Sequence, residues 1–462
     1  MKKLVLIPTF LLLCFGIALA QSNGTLDDKT LKEIRSSFNC EGSTKAIQNA
    51  VTNAGSLREL ALNRSLQGTI DHLDSYRVTV SGITDQQQSG RCWMFTSMNT
   101  LRPIVMKKFN ISSFDFSHNY NYFWDIFEKS NLFLNNIIAT ADKDYMDREV
   151  VVYLQSPVND GGVWNSFYNI GIKYGVVPAS VMPETTMSNK TNEIIQVVNE
   201  KLRGEAYKMR TMIGKKASNS AVHEAKIKAL KEVYRMLALS LGEPPVTFSW
   251  RYEDKDGKVS EAKQYTPKEF FSAIVPEFKS TDMVMIMNDP TREYFKMYEI
   301  KNYRNVEEGI NWTYLNLPNA EIKKFAIASI KNNEAMYASC DVGKQHNRKT
   351  GVMAMNMYDY ADLFGVSFDM DKKARILTRQ SGSSHAMTLI GVDLNKAGQS
   401  VTWELENSWG ADYGNHGYLT FTDGWFDNYM FRLVVNKKYL DAKSKKASEQ
   451  TPIALPVWDY MF

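Results

Sequence analysis

The residues in this chain best suited to chemistry are a cysteine, a histidine and two side-chain amides, set far apart in sequence. Cys92 follows the turn-like stretch Gln86-Gln87-Gln88-Ser89-Gly90-Arg91 and opens an apolar run in which Met94, Met98, Leu101 and Val105 recur with helical spacing. A thiol at a helix N-terminus lies in the positive end of the helix dipole. That position favours the thiolate, which is the nucleophile. Gln86 is placed to curl its amide back toward the same point and, with the Cys92 N–H, to donate to a developing oxyanion. An isolated Cys-Trp pair is more often a packed core thiol than a nucleophile, so the reading needs a base elsewhere in the chain.

His385 supplies one. It stands after the turn Ser381-Gly382-Ser383-Ser384, at the head of an apolar strand over 386–392. Asn407 ends a second strand over 401–406, at a separation that suits neighbouring antiparallel strands. In that arrangement Asn407 accepts from one imidazole nitrogen and turns the other toward Cys92, while Trp409 shields the His–Asn bond from water. The remaining histidines, His72, His118, His223, His346 and His416, fall in polar helices, an aromatic run or polar loops, and none has such a partner. Gly161 and Gly162, adjacent and free of side chains, suit a rim that hydrogen-bonds a peptide laid along it as an extended strand.

The chain that must position these residues has 462 residues, 44% of them apolar, and a net charge of +4. The composition is that of a globular protein, and the charge is too balanced for nucleic acid or an anionic membrane to be the main partner. The run Lys437, Lys438, Lys443, Lys445 and Lys446 reads as a solvated segment. Residues 1–20 read as an export signal: Lys2 and Lys3, an apolar run, then Ala18-Leu19-Ala20. That predicts a periplasmic or secreted protein, without a second segment long enough to span a membrane. Once Cys14 leaves with the signal, Cys40, Cys92 and Cys340 allow at most one intrachain disulfide, and no zinc-type spacing occurs. Neither a metal nor a cofactor is expected.

Between these landmarks the spacing predicts a polar helical segment over 21–75, a strand over 77–83, and a helix from Cys92 kinked or broken near Pro103. An aromatic core helix should follow from about 114, a helix over 164–174, and long charged helices over 189–242. A hairpin turn is expected at 254–258. Thr266, Pro267 and Glu269 have the pattern of a helix-capping box. Short strands are predicted from Met283 onward, including 312–315 and 353–355.

Gln86, Cys92-Trp93, His385 and Asn407-Ser408-Trp409-Gly410 occur in the order and setting of papain-like cysteine proteases. More closely, the chain resembles the bleomycin hydrolase / aminopeptidase C branch. The resemblance rests on residues 88–93, 117–120, 158–164, 174–185, 340–344, 384–388, 406–410 and 455–459, and covers the chain from about residue 60 onward. It implies an α+β papain-like fold with a helical insertion. The expected organisation is a helical subdomain carrying Cys92 over 76–188, an oligomerisation hook over 189–280, a β-rich subdomain carrying His385 and Asn407 over 281–450, and a C-terminal arm over 451–462 reaching toward the cleft. It also implies a homohexamer acting on peptide substrates as an aminopeptidase, with Phe462 near the substrate. Two departures stand out: an export signal where relatives are typically cytosolic, and Tyr460-Met461-Phe462 where the family usually reads Pro-Met-Gly and runs on. The altered arm keeps an endopeptidase register open as the alternative. A non-catalytic peptide-binding protein is disfavoured by the complete Gln, Cys, His and Asn set. The expected reaction is attack by a Cys92 thiolate paired with His385 imidazolium, with the oxyanion held by Gln86 and the Cys92 N–H.

Overall fold

The computed structural model describes residues 24–275 and 279–461; the export signal expected at 1–20 and Phe462 lie outside the described residues. The helix Cys92–Phe109 starts where the preceding turn hands over its hydrogen bonds. Gln87 adopts a positive φ of 54°. The Gly90 N–H donates to the Asp160 carboxylate at 2.6 Å, and the Arg91 carbonyl accepts from the N–H groups of Met94 and Phe95 at 2.9 and 3.1 Å.

The helix runs unbroken through Pro103, so the chain does not break there, and it stops at Asn110 in the left-handed conformation. Packing around the proline accounts for this. Met98, Leu101 and Val105 are buried on one face. The Arg102 side chain donates to the carbonyls of Phe114 and Gly82 at 2.8 Å each and of Ser81 at 3.1 Å. Those bonds also shorten the strand expected over 77–83. Only Tyr76–Arg77 is regular strand, because Thr79 N–H is taken by the Asn333 side chain at 2.9 Å and the carbonyls of Ser81 and Gly82 by Arg102.

Two further helices complete the Cys92 side, His118–Ala139 and Trp164–Tyr174. The helical pair Asn192–Gly214 and Asn219–Leu241 lies against His118–Ala139. Its Val198, Leu202, Ala206, Val233 and Leu237 are buried in the same apolar cluster as Trp93 and Phe123, so these helices are built into the core of the Cys92 side. Phe248–Trp250 and Lys263–Tyr265 pair as an antiparallel hairpin. Thr266 then caps Pro267–Ile274 through a reciprocal box with Glu269.

The other side is a sheet. Met430–Asn436 lies between Met283–Met287 and Met336–Cys340, and the sheet continues through His385–Leu394, Ser400–Glu406 and Tyr418–Thr422. Every one of those neighbouring pairs is antiparallel. The strands expected at 312–315 and 353–355 are observed at Thr313–Asn316 and Val352–Met353. His385 is the first residue of its strand and stands opposite Cys340, while Asn407 immediately follows the end of the neighbouring strand. The arm strand Ile453–Leu455 pairs in parallel with Lys296–Ile300 on the far edge, and the chain turns from there back toward the cleft.

Pro103 withholds an N–H from a helix that tolerates it only through packing. Pro103→Ala is therefore expected to raise stability by about 1–2 kcal/mol, the helix gain of about 3 being partly offset by a freer unfolded chain. A denaturant midpoint below that of the parent protein would contradict this.

Candidate active site

Gln86, Cys92, Gly161, Gly162, His385, Trp409, Arg432 and Met461 line one cavity of about 480 Å³ between the helical side and the sheet. The described residues singled out from the sequence thus converge, with Asn407 joined to them through His385; Phe462 lies outside the described residues. Cys92 is half-buried, and its sulfur faces the backbone N–H of Ala386, one residue past the histidine. Its own N–H and that of Trp93 also point at the sulfur, as the start of a helix provides.

His385 Nε2 lies 2.8 Å from Asn407 Oδ1. Asn407 Oδ1 also accepts from the Ser408 N–H at 2.8 Å, so two donors fix which end of the amide meets the ring. Nε2 therefore carries the proton, and Nδ1 is left as the acceptor on the cleft side. Trp409 stacks on the imidazole with centroids 4.4 Å apart and 28° between the planes. Asn407 is fully buried beneath it. Water is thereby kept from the bond that orients the ring.

Gln86 is held at three points. Its N–H donates to the Ser408 carbonyl at 2.8 Å, its Oε1 accepts from Ser408 Oγ at 2.7 Å, and its Nε2 donates to the Ser89 carbonyl at 2.6 Å. One N–H of the amide remains available to an oxyanion next to the Cys92 N–H. On the opposite rim, Asp160 joins two loops: besides Gly90, its carboxylate accepts from Thr191 Oγ1, and its carbonyl accepts from Trp93 Nε1 at 2.8 Å. Gly162 presses on Trp93 so closely that a Cβ would stand 2.7 Å from the indole. Sequence patterns missed four residues here: Ser408, Asp160, Arg432 and Met461. The first two lie inside motifs that were recognised, but nothing in a motif reports which way a side chain turns. Arg432 and Met461 reach the cleft only through the order of strands in the sheet.

Burial sets the electrostatics. It pushes the Cys92 thiol up to about 11, against the pull of the surrounding N–H groups. It pushes the His385 imidazole down to about 4, with the Asn407 bond acting in the opposite direction. Both effects oppose the thiolate–imidazolium pair expected from the sequence.

Three of the other histidines have structural partners: His118 stacks on Phe95 at 3.5 Å, His72 meets Thr420 Oγ1 at 2.7 Å, and His346 Nδ1 meets the Val342 carbonyl at 3.0 Å. Cys40, Cys92 and Cys340 are all free thiols. Among the described residues no His, Cys, Asp and Glu cluster of metal-binding form occurs, and no helix is long and apolar enough to cross a membrane.

This geometry agrees with what the chain is similar to. Residues 25–462 match the family model described as the Peptidase C1-like family. Aminopeptidase C of Streptococcus thermophilus is 38% identical over 418 residues, which span 90% of this chain and 94% of that protein. Bleomycin hydrolase of Homo sapiens is 37% identical over 415 residues, 88% and 91% of the two chains. The crystal structure of PepW from Lactobacillus rhamnosis superposes with a TM-score of 0.91 at 36% identity, covering 95% of this chain and 99% of that one. The fold is that of a papain-like cysteine peptidase. The chain belongs to the Peptidase C1-like family, in its bleomycin hydrolase / aminopeptidase C branch, and is a cysteine peptidase.

Two outcomes follow from the site. Gly162→Ala forces a methyl into the Trp93 ring and is expected to destabilise the protein by about 1–3 kcal/mol, with a matching loss of turnover; an unchanged melting temperature would contradict the contact. Because the thiol is held up by burial, alkylation of Cys92 by iodoacetamide in the ligand-free enzyme should accelerate with pH well above neutrality. A rate already at its plateau near pH 6 would mean a resting thiolate.

Proposed function

We propose that this cysteine peptidase removes N-terminal residues from peptides through Cys92, His385, Asn407 and Gln86. The observation that carries the reading is the placement of the arm: Met461 is buried and lines the same cavity as Cys92 and His385. A segment seated there occupies room that a longer substrate would need on the N-terminal side of the scissile bond. The names of the relatives, aminopeptidase C and bleomycin hydrolase among them, point the same way.

The substrate lies along Gly161 and Gly162, whose lack of side chains lets its backbone approach. Cys92 Sγ attacks the scissile carbonyl while its proton passes to His385 Nδ1. Coupling the transfer to attack avoids forming a lone thiolate in a buried site. The oxyanion takes hydrogen bonds from Gln86 Nε2 and the Cys92 N–H. His385 then protonates the leaving amine. Water, deprotonated by His385, hydrolyses the thioester and restores the thiol. Asn407 holds the ring in the tautomer that each step needs.

We also propose that residues 1–20 export the protein, on the strength of their basic, apolar and small-residue pattern. A hexameric assembly is proposed from the family resemblance, and exposed apolar side chains such as Tyr207, Leu239 and Val246 on and beside the long helical pair are consistent with a partner surface. Light scattering on the mature protein checks the assembly, and N-terminal sequencing beginning at Gln21 checks the processing. The altered arm sequence supports an endopeptidase as the second reading.

The decisive measurement compares one defined peptide in free and N-acetylated form by product mass. Single residues should be released from the free form and nothing from the acetylated one. Internal cuts of the acetylated peptide would favour the endopeptidase. Cys92→Ala should abolish both activities, and retained turnover would remove the cysteine from the mechanism.

A further inference from the structure

Arg432 is a buried cation in the wall of the catalytic cavity. It lies in the cleft wall on the strand Met430–Asn436 and is about nine-tenths buried. Its guanidinium lies 4.1 Å from the centroid of the Trp312 ring. Among the described residues that line the catalytic cavity it carries the only permanent charge, and none of them is a carboxylate. Its Nη2 donates to the carbonyl of Met461 at 3.1 Å, and its Nε has no partner among the described residues.

The contrast with Arg292 is instructive. That residue also touches the arm, but it is paired with Asp289 at 2.5 Å and with Asp459, and it lies 4.6 Å from the Tyr460 ring centroid. Tyr460 in turn meets Thr291 Oγ1 at 2.5 Å. Arg292 thus fixes the arm at the rim, where its charge is compensated. Burying a guanidinium costs desolvation, and among the described residues Arg432 meets that cost with the Met461 carbonyl and the Trp312 face, so its hydrogen bonding is directed at the arm.

We infer that Arg432 is a positioning residue: it latches the end of the arm across the cleft through the Met461 carbonyl, and so sets how many substrate residues fit before the scissile bond. The geometry suits that task. Stacking on Trp312 fixes the plane of the guanidinium and leaves its N–H edge toward the arm. Met461 is further constrained because its own N–H donates to Asp459 Oδ1 at 3.0 Å. Two arginines therefore hold successive parts of one short segment, Arg292 at Asp459 and Tyr460, Arg432 at Met461. The inference rests on the aminopeptidase reading above, since an arm that limits nothing needs no latch.

The test uses the full-length protein and one defined peptide, free and N-acetylated. Arg432→Met keeps the apolar stem and removes the donors, Arg432→Gln keeps one amide donor without charge, and Arg432→Lys keeps charge and a donor. If the latch holds, the ratio of kcat/KM on the acetylated to the free peptide rises by about tenfold or more in R432M and rises in R432Q. R432K returns toward the parent ratio. In a chain ended after Asp459 the ratio is already high, and adding R432M raises it no further. Melting temperatures establish that each variant folds; should R432M fail to fold, R432Q carries the measurement. A ratio in folded R432M or R432Q equal to that of the parent, or a further rise from R432M in the shortened chain, overturns the latch. Failure of the underlying reading is visible separately, in the parent enzyme alone, as equal cleavage of free and acetylated peptide.

Discussion

The site depends on a seam between the loop before Cys92 and the chain just after Asn407. The Gln86 N–H meets the Ser408 carbonyl, the Ser408 hydroxyl meets the Gln86 side chain, Asp85 pairs with Trp409 as an antiparallel bridge, and the Gly410 N–H meets the Thr84 carbonyl at 3.1 Å. These contacts join two segments more than three hundred residues apart in sequence. They stitch the helical side to the sheet within a few residues of Cys92 and of Asn407, the partner of His385. Of the two main apolar clusters, the one containing Trp93 and Phe123 reaches across into the sheet at Tyr337, Ala386 and Phe431, and the other holds Leu389, Trp403 and Phe421. Apolar packing is not directional and does not by itself set the position of Cys92 relative to His385. The seam does so, and it uses backbone groups, whose reach is fixed, together with one glutamine that also faces the reaction.

That double use of Gln86 explains why an amide suits the position. Its Oε1 is committed to Ser408 and one Nε2 hydrogen to Ser89, so the remaining hydrogen is oriented before any substrate arrives. Such preorganisation is the form of electrostatic stabilisation that costs nothing to arrange in the transition state. The same economy appears at Asn407. Its carbonyl oxygen serves two donors, it has no exposed surface, and the Trp409 ring covers it. A carboxylate there would hold imidazolium more strongly and would resist giving up the proton when the leaving amine needs it. A neutral amide orients the ring without trapping the charge.

Much of this was legible in the sequence. Cysteine at the start of a helical period, histidine at the head of an apolar strand and asparagine at the end of the next are local patterns, and local patterns survive without a structure. The capping box at Thr266 and Glu269 was legible for the same reason. What failed was context. The proline at 103 reads as a helix breaker because propensity reports the missing N–H and says nothing of Arg102 and the buried face that hold the helix together. The strand expected over 77–83 shrank to two residues because distant side chains, Asn333 and Arg102, took its hydrogen-bonding groups. The thiol shows the same division: a helix N-terminus favours a thiolate, while burial in the cleft, which no motif encodes, pulls the other way.

Arg432 extends the point to specificity. A strand residue with neighbours Phe431 and Leu433 gives no sign in sequence of facing a cleft. Only the sheet order, which sets Met430–Asn436 beside the strand that ends at Cys340, carries it toward the catalytic cavity. Once there, it stands among aromatic rings and hydroxyls, with Met461 as the one described residue that accepts from it. The protein keeps a buried charge in the cleft wall and directs it at the backbone of its own arm. A backbone carbonyl is a partner whose distance from the main chain does not vary with sequence, so this contact fixes where the arm runs whatever side chains the arm carries. That separates two roles that the arm sequence alone would merge. The side chains of Tyr460 and Met461 shape the space offered to a substrate, while Arg432 and Arg292 determine that the space is in the same place each time.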